Sequence, residues 1–395
     1  MAKKKKSKVL TEISSDVTRV SAAKVKLERS WNLSPQVLAI TLAFIAGLLF
    51  FDRSFFLVLK LCNRHNLQGP ETINQTLHTH ADAYIFGDSR AKYHIDPAVL
   101  NAEVGLNFFN AGASGYDILY YRCLCELLEK RTKPKLYVIN ISLDDFHRNP
   151  AQYGSMNIFA AYMDESAVVR AMLVKQSWRA VPALQRIGHD RQASMLKDFP
   201  WDVAWPYVCK SYVTLMGIKT YRFNAKLYYF VEAALGRPLA SSDGFVPLSN
   251  TPFQAAKRRY VMAQDVDFAL VNELIQCVRQ AQSKGICVIL SVAPSFRMTY
   301  SLAPDEWYYL YAIRQSAKLL HVPLIEISEH NHPHYRDALY YFDRDHFNAR
   351  GAAFYSQHLA LHIARVLSLP DIAGTPYEAH IEPDQYVIPA SLFDP

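Results

Sequence analysis

The chain has 395 residues, half of them hydrophobic and 13% aromatic, enough for one large domain or two moderate ones around a buried core. Fourteen glycines and a charged fraction of 20% exclude a fibrous or disordered chain. The net charge of +7 sits at one end: residues 1–33 carry nine Lys/Arg and three Asp/Glu, and the remainder holds 34 against 33. A main body so close to neutral gives nucleic-acid binding no electrostatic support.

The first predicted element follows the basic tail. From Asn32 to Phe51 there are 20 residues without a charge, enough to cross the hydrocarbon of a bilayer as a helix. Pro35 suits its first turn, where the missing N–H costs nothing. Asp52 and Arg53 close the span, and Phe55–Leu59 is expected at the far interface. Leu-Leu-Phe-Phe-Asp-Arg is no signal-peptide cleavage site, so the segment reads as an uncleaved anchor. The excess of Lys/Arg before it places the N-terminus in the cytoplasm of a single-pass plasma-membrane protein. Everything from about residue 53 is then periplasmic or otherwise extracytoplasmic. The expected organisation is a tail (1–33), an anchor with its interface segment (34–60) and a linker (61–79). A main domain (80–370) and a loose C-terminal tail (371–395) complete it.

Strand and helix patterns alternate from residue 81. Ala83–Phe86 reads as a short buried strand ending at Gly87, and Leu106–Asn110 as a second, followed by the turn Ala111–Gly115. A helix over about Asp117–Lys130 and the strand Leu136–Ser142 come next. Residues of about 150–260 lose the rhythm, are rich in Trp, Tyr and Phe, and read as a helical insertion packed over the domain. The rhythm then returns as helix Val266–Lys284, strand Ile286–Val292, helix Asp305–Leu320, strand Val322–Ile327 and helix Ala349–Leu367. This alternation predicts an α/β fold, a parallel sheet covered on both faces as a three-layer α/β/α sandwich. In such folds chemistry gathers at the carboxyl ends of strands.

Two of those ends, and the loop before the last helix, carry reactive side chains. The first reads Phe86-Gly87-Asp88-Ser89-Arg90, where a tight glycine turn can present a serine hydroxyl at the sheet edge. Taken alone, Asp88 or Ser89 is equally an ordinary helix N-cap. The second, Asn110-Ala-Gly-Ala-Ser-Gly115-Tyr-Asp, is a small-residue loop that can aim a backbone N–H into a cleft. The third, Asp343-Arg-Asp-His346, precedes the last helix. Its spacing lets a carboxylate accept from one imidazole nitrogen while the other faces the serine.

The order G-D-S, N-x-G-x-x-G, D-x-x-H over roughly residues 80–367 resembles the SGNH (GDSL-like) hydrolase superfamily. With the N-terminal anchor it is most similar to the membrane-anchored subgroup that includes the alginate acetylation proteins and the teichoic-acid D-alanylation protein. The resemblance implies Ser89 as nucleophile, His346 as base, Asp343 as orienting acid, and the N–H groups of Ser89 and Gly115 as oxyanion donors. Asp88, Arg90, Asn110 and Asp144 are then candidates to touch substrate. It implies no metal, nucleotide or other cofactor. The implied activity is that of an esterase or O-acyltransferase on a cell-envelope polysaccharide or glycan, with an acyl donor and a multi-spanning membrane O-acyltransferase as expected partners. The third block departs from the family: Asp144 stands where an asparagine usually donates to the oxyanion, and an ionised carboxylate cannot donate. A non-catalytic glycan- or carrier-binding partner and a lipid esterase are the alternative readings.

Two further features carry less. The six cysteines have neither a C-x-x-C pair nor a zinc spacing and read as small buried residues, a Cys277–Cys287 bridge being the alternative. The run Glu329-His330-Asn-His332-Pro-His334 reads as a solvated loop rather than a metal site.

Overall fold

The structure is a computed structural model and describes residues 34–146, 156–174, 217–250, 266–296, 304–328 and 332–368, without the side chains of 143–144, 224–225 and 304–307. The chain divides into two units, residues 1–57 and 58–395.

Helix α1 runs from Pro35 to His65 without interruption and is long and apolar enough to cross a membrane. The helix continues past Asp52 and Arg53, whose side chains pair with each other, and no glycine or proline intervenes from there to Gly69.

Five short strands form one parallel sheet: β1 (Ala83–Phe86), β2 (Phe108–Asn110), β3 (Leu136–Asn140), β4 (Cys287–Val292) and β5 (Leu324–Glu326). Their order is β2-β1-β3-β4-β5. This is the flavodoxin-like order, in which the crevice lies where the winding reverses, beside β1 and β3. Both faces are apolar, as a sheet covered on both sides requires. Ala83, Ile85, Val138 and Ile289 belong to one core cluster with Tyr355, Leu359 and Ile363 of the last helix, Ala349–Ser368. On the opposite face Tyr84 stacks with Phe86, which meets Tyr137 edge to face at 4.9 Å.

Helix and strand identities match the sequence expectations, and most bounds move by one to three residues. The second strand is shorter than expected because Phe108 N donates to Asn101 Oδ1 instead of extending a ladder. Before β5, Pro323 has no N–H with which to begin earlier. Two short helices escaped the sequence reading, α2 (Ile73–His78) and α4 (Pro97–Val104), and α3 (Ser89–His94) is the helix expected after the Gly87 turn. The last two have legible ends, since Asp88 and Asp96 cap them and Gly105 closes α4 at φ 75°. The remaining helices are α5 (Ile118–Leu128), α6 (Leu227–Ala234), α7 (Phe268–Ser283), α8 (Pro304–Leu320) and α9 (Ala349–Ser368).

The expected insertion holds, among its described residues, the 3₁₀ turns Met156–Tyr162 and Thr220–Lys226 and the helix α6. Lys226 stitches it to the start of the domain: its buried Nζ donates to Asn63 Oδ1 (3.0 Å), Asn74 Oδ1 (2.6 Å) and Tyr162 Oη (2.6 Å). Burial pulls that amine well below the ordinary lysine range. The stretch 241–250 belongs to the α/β core rather than to an insertion. Asn110 N donates to Asp243 O, Val246 N to Lys92 O and Ala349 N to Leu248 O. Gly244 (φ 85°) lies so close to β2 that a Cβ there would sit 1.8 Å from Asn110 O.

Cys123, Cys125 and Cys277 are buried free thiols, Cys287 is half-buried and free, and Cys62 is exposed and free. Cys209 lies outside the described residues.

Candidate active site

Ser89 opens α3 directly after β1. The turn that presents it needs Gly87: its φ is 154°, and a Cβ would meet Ala91 Cβ at 2.5 Å and Asn140 O at 2.7 Å. Asp88 caps α3, accepting from Arg90 N at 2.7 Å, and its other oxygen accepts from Ser142 Oγ at 2.5 Å. The turn is therefore tied both to its own helix and to the end of β3.

The histidine arrives on a tight turn between the last core segments. Phe342 N and Asp343 N both donate to His346 O, and Tyr341 bridges Phe347 in antiparallel fashion. Asp343 Oδ1 accepts from the backbone N–H groups of Asp345 and His346, each at 2.8 Å, which fixes the carboxylate against the ring. His346 Nδ1 donates to Asp343 Oδ2 at 2.9 Å. Its Nε2 accepts from Ser89 Oγ at 2.7 Å. A hydroxyl, an imidazole and a carboxylate thus form one hydrogen-bonded line across 257 residues of sequence. Burial pushes the Asp343 pKa up, but the bonds from the His346 ring and the backbone N–H groups outweigh it and leave it lowered.

The second loop hangs from the same turn. Ala111 N donates to Ile85 O and Ala113 N to Gly87 O, so Ser114 and Gly115 follow immediately. Gly115 is exposed at φ 75° with open space around its Cα. Ser114 Oγ donates to Tyr93 Oη at 2.9 Å, and the Tyr93 ring stands edge-on to His346 at 5.5 Å. Glu71 braces this loop. Its Oε2 accepts from Ser114 N at 3.4 Å and pairs with Lys92 on α3, and its backbone sits in the left-handed region at φ 50°. Side chains rarely adopt that conformation without a local reason. Neither Glu71 nor Tyr93 stood out in the sequence, since neither belongs to a spaced motif.

Three of the four positions expected to touch substrate are occupied with the protein itself. Asp88 is spent on the two bonds above. Arg90 is buried, with its guanidinium 3.7 Å from Asp345. Asn110 is fully buried and gives both amide protons to backbone, at Ala91 O and Ile95 O, while its Oδ1 accepts from Gly112 N. It caps α3 from below and cannot reach a cleft. The fourth, Asp144, lies outside the described side chains. Asn140, the nearest asparagine to the third block, is also buried and donates to Ser291 Oγ and Tyr355 Oη.

Under the site lies a buried acidic group that the motifs do not announce. Asp145 accepts from Ser142 N at 2.9 Å and from the Tyr121 hydroxyl, and burial together with the nearby Asp88 charge holds its pKa well above the usual range. Asp117, the cap of α5, is pushed up to about 7 by burial. His94 is fully buried beside His346, with Nε2 accepting from Phe347 N at 3.0 Å. Of the histidine run, Glu329 and His330 lie outside the described residues, and the His332 ring faces His358 at 5.3 Å.

No family model matches the chain. No curated protein matches it either. Among solved structures it is similar to a crystal structure of an acetyl xylan esterase, AlAXEase, at 14% identity and a TM-score of 0.33, covering 71% of this chain and 99% of that one.

Proposed function

We propose that the chain is a membrane-anchored serine esterase or O-acyltransferase that acts on acyl esters of a cell-envelope polysaccharide or glycan. The observation that carries this reading is the Ser89–His346–Asp343 line, with 2.7 Å from hydroxyl to imidazole and 2.9 Å from imidazole to carboxylate. In the reaction, His346 Nε2 takes the Ser89 proton as Oγ attacks the acyl carbonyl carbon. The carbonyl oxygen becomes an oxyanion, held by the backbone N–H groups of Ser89 and Gly115. Asp343 keeps the proton of Nδ1 facing itself and stabilises the imidazolium. Collapse expels the first alcohol, which leaves with the proton that His346 carries. The acyl group on Ser89 then passes to water or to a sugar hydroxyl, and Oγ recovers its proton.

Helix α1 is the anchor in this reading, with residues 1–33 in the cytoplasm, the α/β domain on the far side of the plasma membrane, and a multi-spanning O-acyltransferase as a partner. The resemblance of the three motifs to membrane-anchored SGNH proteins supports the glycan over a phospholipid as substrate. A non-catalytic partner role is favoured by the third block, where Asp144 stands in place of the donor asparagine and Asn140 gives its amide to Ser291 Oγ and Tyr355 Oη. Losing one such donor costs about 10²–10³ in rate.

A fluorophosphonate probe on the full chain tests the reading. Labelling of wild type and none of Ser89→Ala supports covalent catalysis, as does acetate release from an acetylated glycan by wild type alone. Absence of label on correctly folded wild type would end it.

A further inference from the structure

Helix α6 has no buried residue. Leu227, Val231 and Leu235 recur every four positions and make one stripe, 46%, 56% and 65% exposed, with Tyr228 (63%) beside it and Ile218 (52%) ahead of it. The stripe carries no charge, and the one acid of the helix, Glu232, is turned to Arg237 at 3.4 Å. The other side of the helix is fixed, since Phe230 packs on Phe223 at 6.2 Å. A contiguous apolar stripe of this kind marks a contact surface.

What covers it follows from how α6 is attached. Asn66 is the residue immediately after α1, and its Nδ2 donates to Tyr229 O. Gln68 Nε2 donates to Arg237 O at 2.8 Å. Both ends of the apolar helix are therefore fastened to residues 66–68. Exposed apolar side chains continue along α1 as far as Val58 (51%) and Leu61 (57%), five residues before Asn66. Pro35 to Leu61 is 27 residues, about 40 Å of helix. That matches a bilayer with its headgroup regions, about 40–45 Å. Lys60, Arg64 and His65 then fall at the outer interface, and Tyr228 and Arg237 have the composition of an interfacial belt.

We propose that α6 lies on the outer surface of the bilayer that α1 crosses, with Leu227, Val231 and Leu235 entering the boundary between headgroups and acyl chains. The α/β domain is then held by two points on the membrane rather than by one tether. The proposal rests on the reading of α1 as a span and is independent of the chemistry at Ser89.

The test places p-benzoylphenylalanine at Val231, or at Leu361 on α9 (60% exposed) as a control, in the full chain reconstituted in phosphatidylethanolamine–phosphatidylglycerol vesicles. Irradiation is followed by mass spectrometry, and an unchanged thermal midpoint verifies folding. The expected result is a phospholipid adduct at 231 at least ten times more abundant than at 361. A chain that floats with the vesicles but gives equal or no lipid adduct at 231 overturns the proposal alone. Adducts to a second copy or another protein at 231 overturn it in favour of a protein partner. A chain that fails to float after alkaline washing overturns the span, and the proposal with it.

Discussion

The backbone N–H of Phe347 donates to Nε2 of His94 at 3.0 Å, so a fully buried histidine on the helix that Ser89 opens holds the residue next to His346. The bond requires His94 to be neutral, and burial, then the His346 and Arg90 charges, keep its pKa well below the ordinary value. Its Nδ1 has no hydrogen-bond partner among the described residues. The position is thus costly as a polar group and useful only through Nε2.

The linkage has a definite sign. A histidine with a depressed folded pKa contributes stability that is present above its unfolded value, about 6.5, and lost as pH falls toward the folded one. Wild type should lose stability as pH drops below that point, and His94→Gln should flatten the slope in thermal unfolding scans. His94→Phe leaves a buried N–H unmet, at about 1–3 kcal/mol, and should lower esterase activity along with the melting midpoint. Equal pH slopes in wild type and His94→Gln would refute the assignment.

Asp343→Asn tests the orienting carboxylate. An amide at this place favours the wrong imidazole tautomer, and kcat should fall about 10⁴-fold while the fold stays intact. Since Asp343 titrates below the ordinary carboxylate range, wild type should show no activity loss from this group until pH falls below about 4. Ester hydrolysis across pH by both proteins decides it; a variant retaining a tenth of wild-type kcat would remove Asp343 from the mechanism.

Asp117 predicts the opposite slope. Its folded pKa is raised to about 7, so the proton it retains stabilises the fold fully below the unfolded carboxylate value and that contribution is lost as pH rises through 7. Asparagine also caps helices well. Asp117→Asn should therefore match wild type near pH 4 and exceed it by a few kcal/mol at pH 8. Denaturant midpoints at the two pH values measure the difference, and a variant less stable at pH 8 would contradict the buried charge.

Glu71 is a positioning residue in the proposed mechanism, because its described bonds run to Ser114 N and Lys92 and not to Ser89 or His346. Glu71→Ala should lower kcat about 10-fold with KM nearly unchanged, as a loosened oxyanion loop would. Glu71→Gln, which keeps an acceptor for Ser114 N, should recover part of the loss. A pure KM effect would instead make Glu71 a substrate contact.

The sequence by itself determined the layered α/β architecture, the apolar helix and the three loops that meet at Ser89. Each of these is local: strand runs, helix periods and turn glycines are written in neighbouring residues, and parallel winding carries strand ends to one edge of the sheet. Only the tertiary structure decided the rest. Asn110 looked like a cleft residue in its motif, yet its amide is consumed by Ala91 and Ile95, because a side chain's partners depend on which backbone passes beside it. Asp243–Leu248 read as part of an insertion, yet it pairs with β2 and α9. The support from Glu71, His94, Asp145 and Lys226 consists of single side chains meeting across long stretches of chain, which leaves no periodicity or spacing to read. Desolvation, which sets the state of Asp117 and His94, arises only when the surrounding atoms are in place.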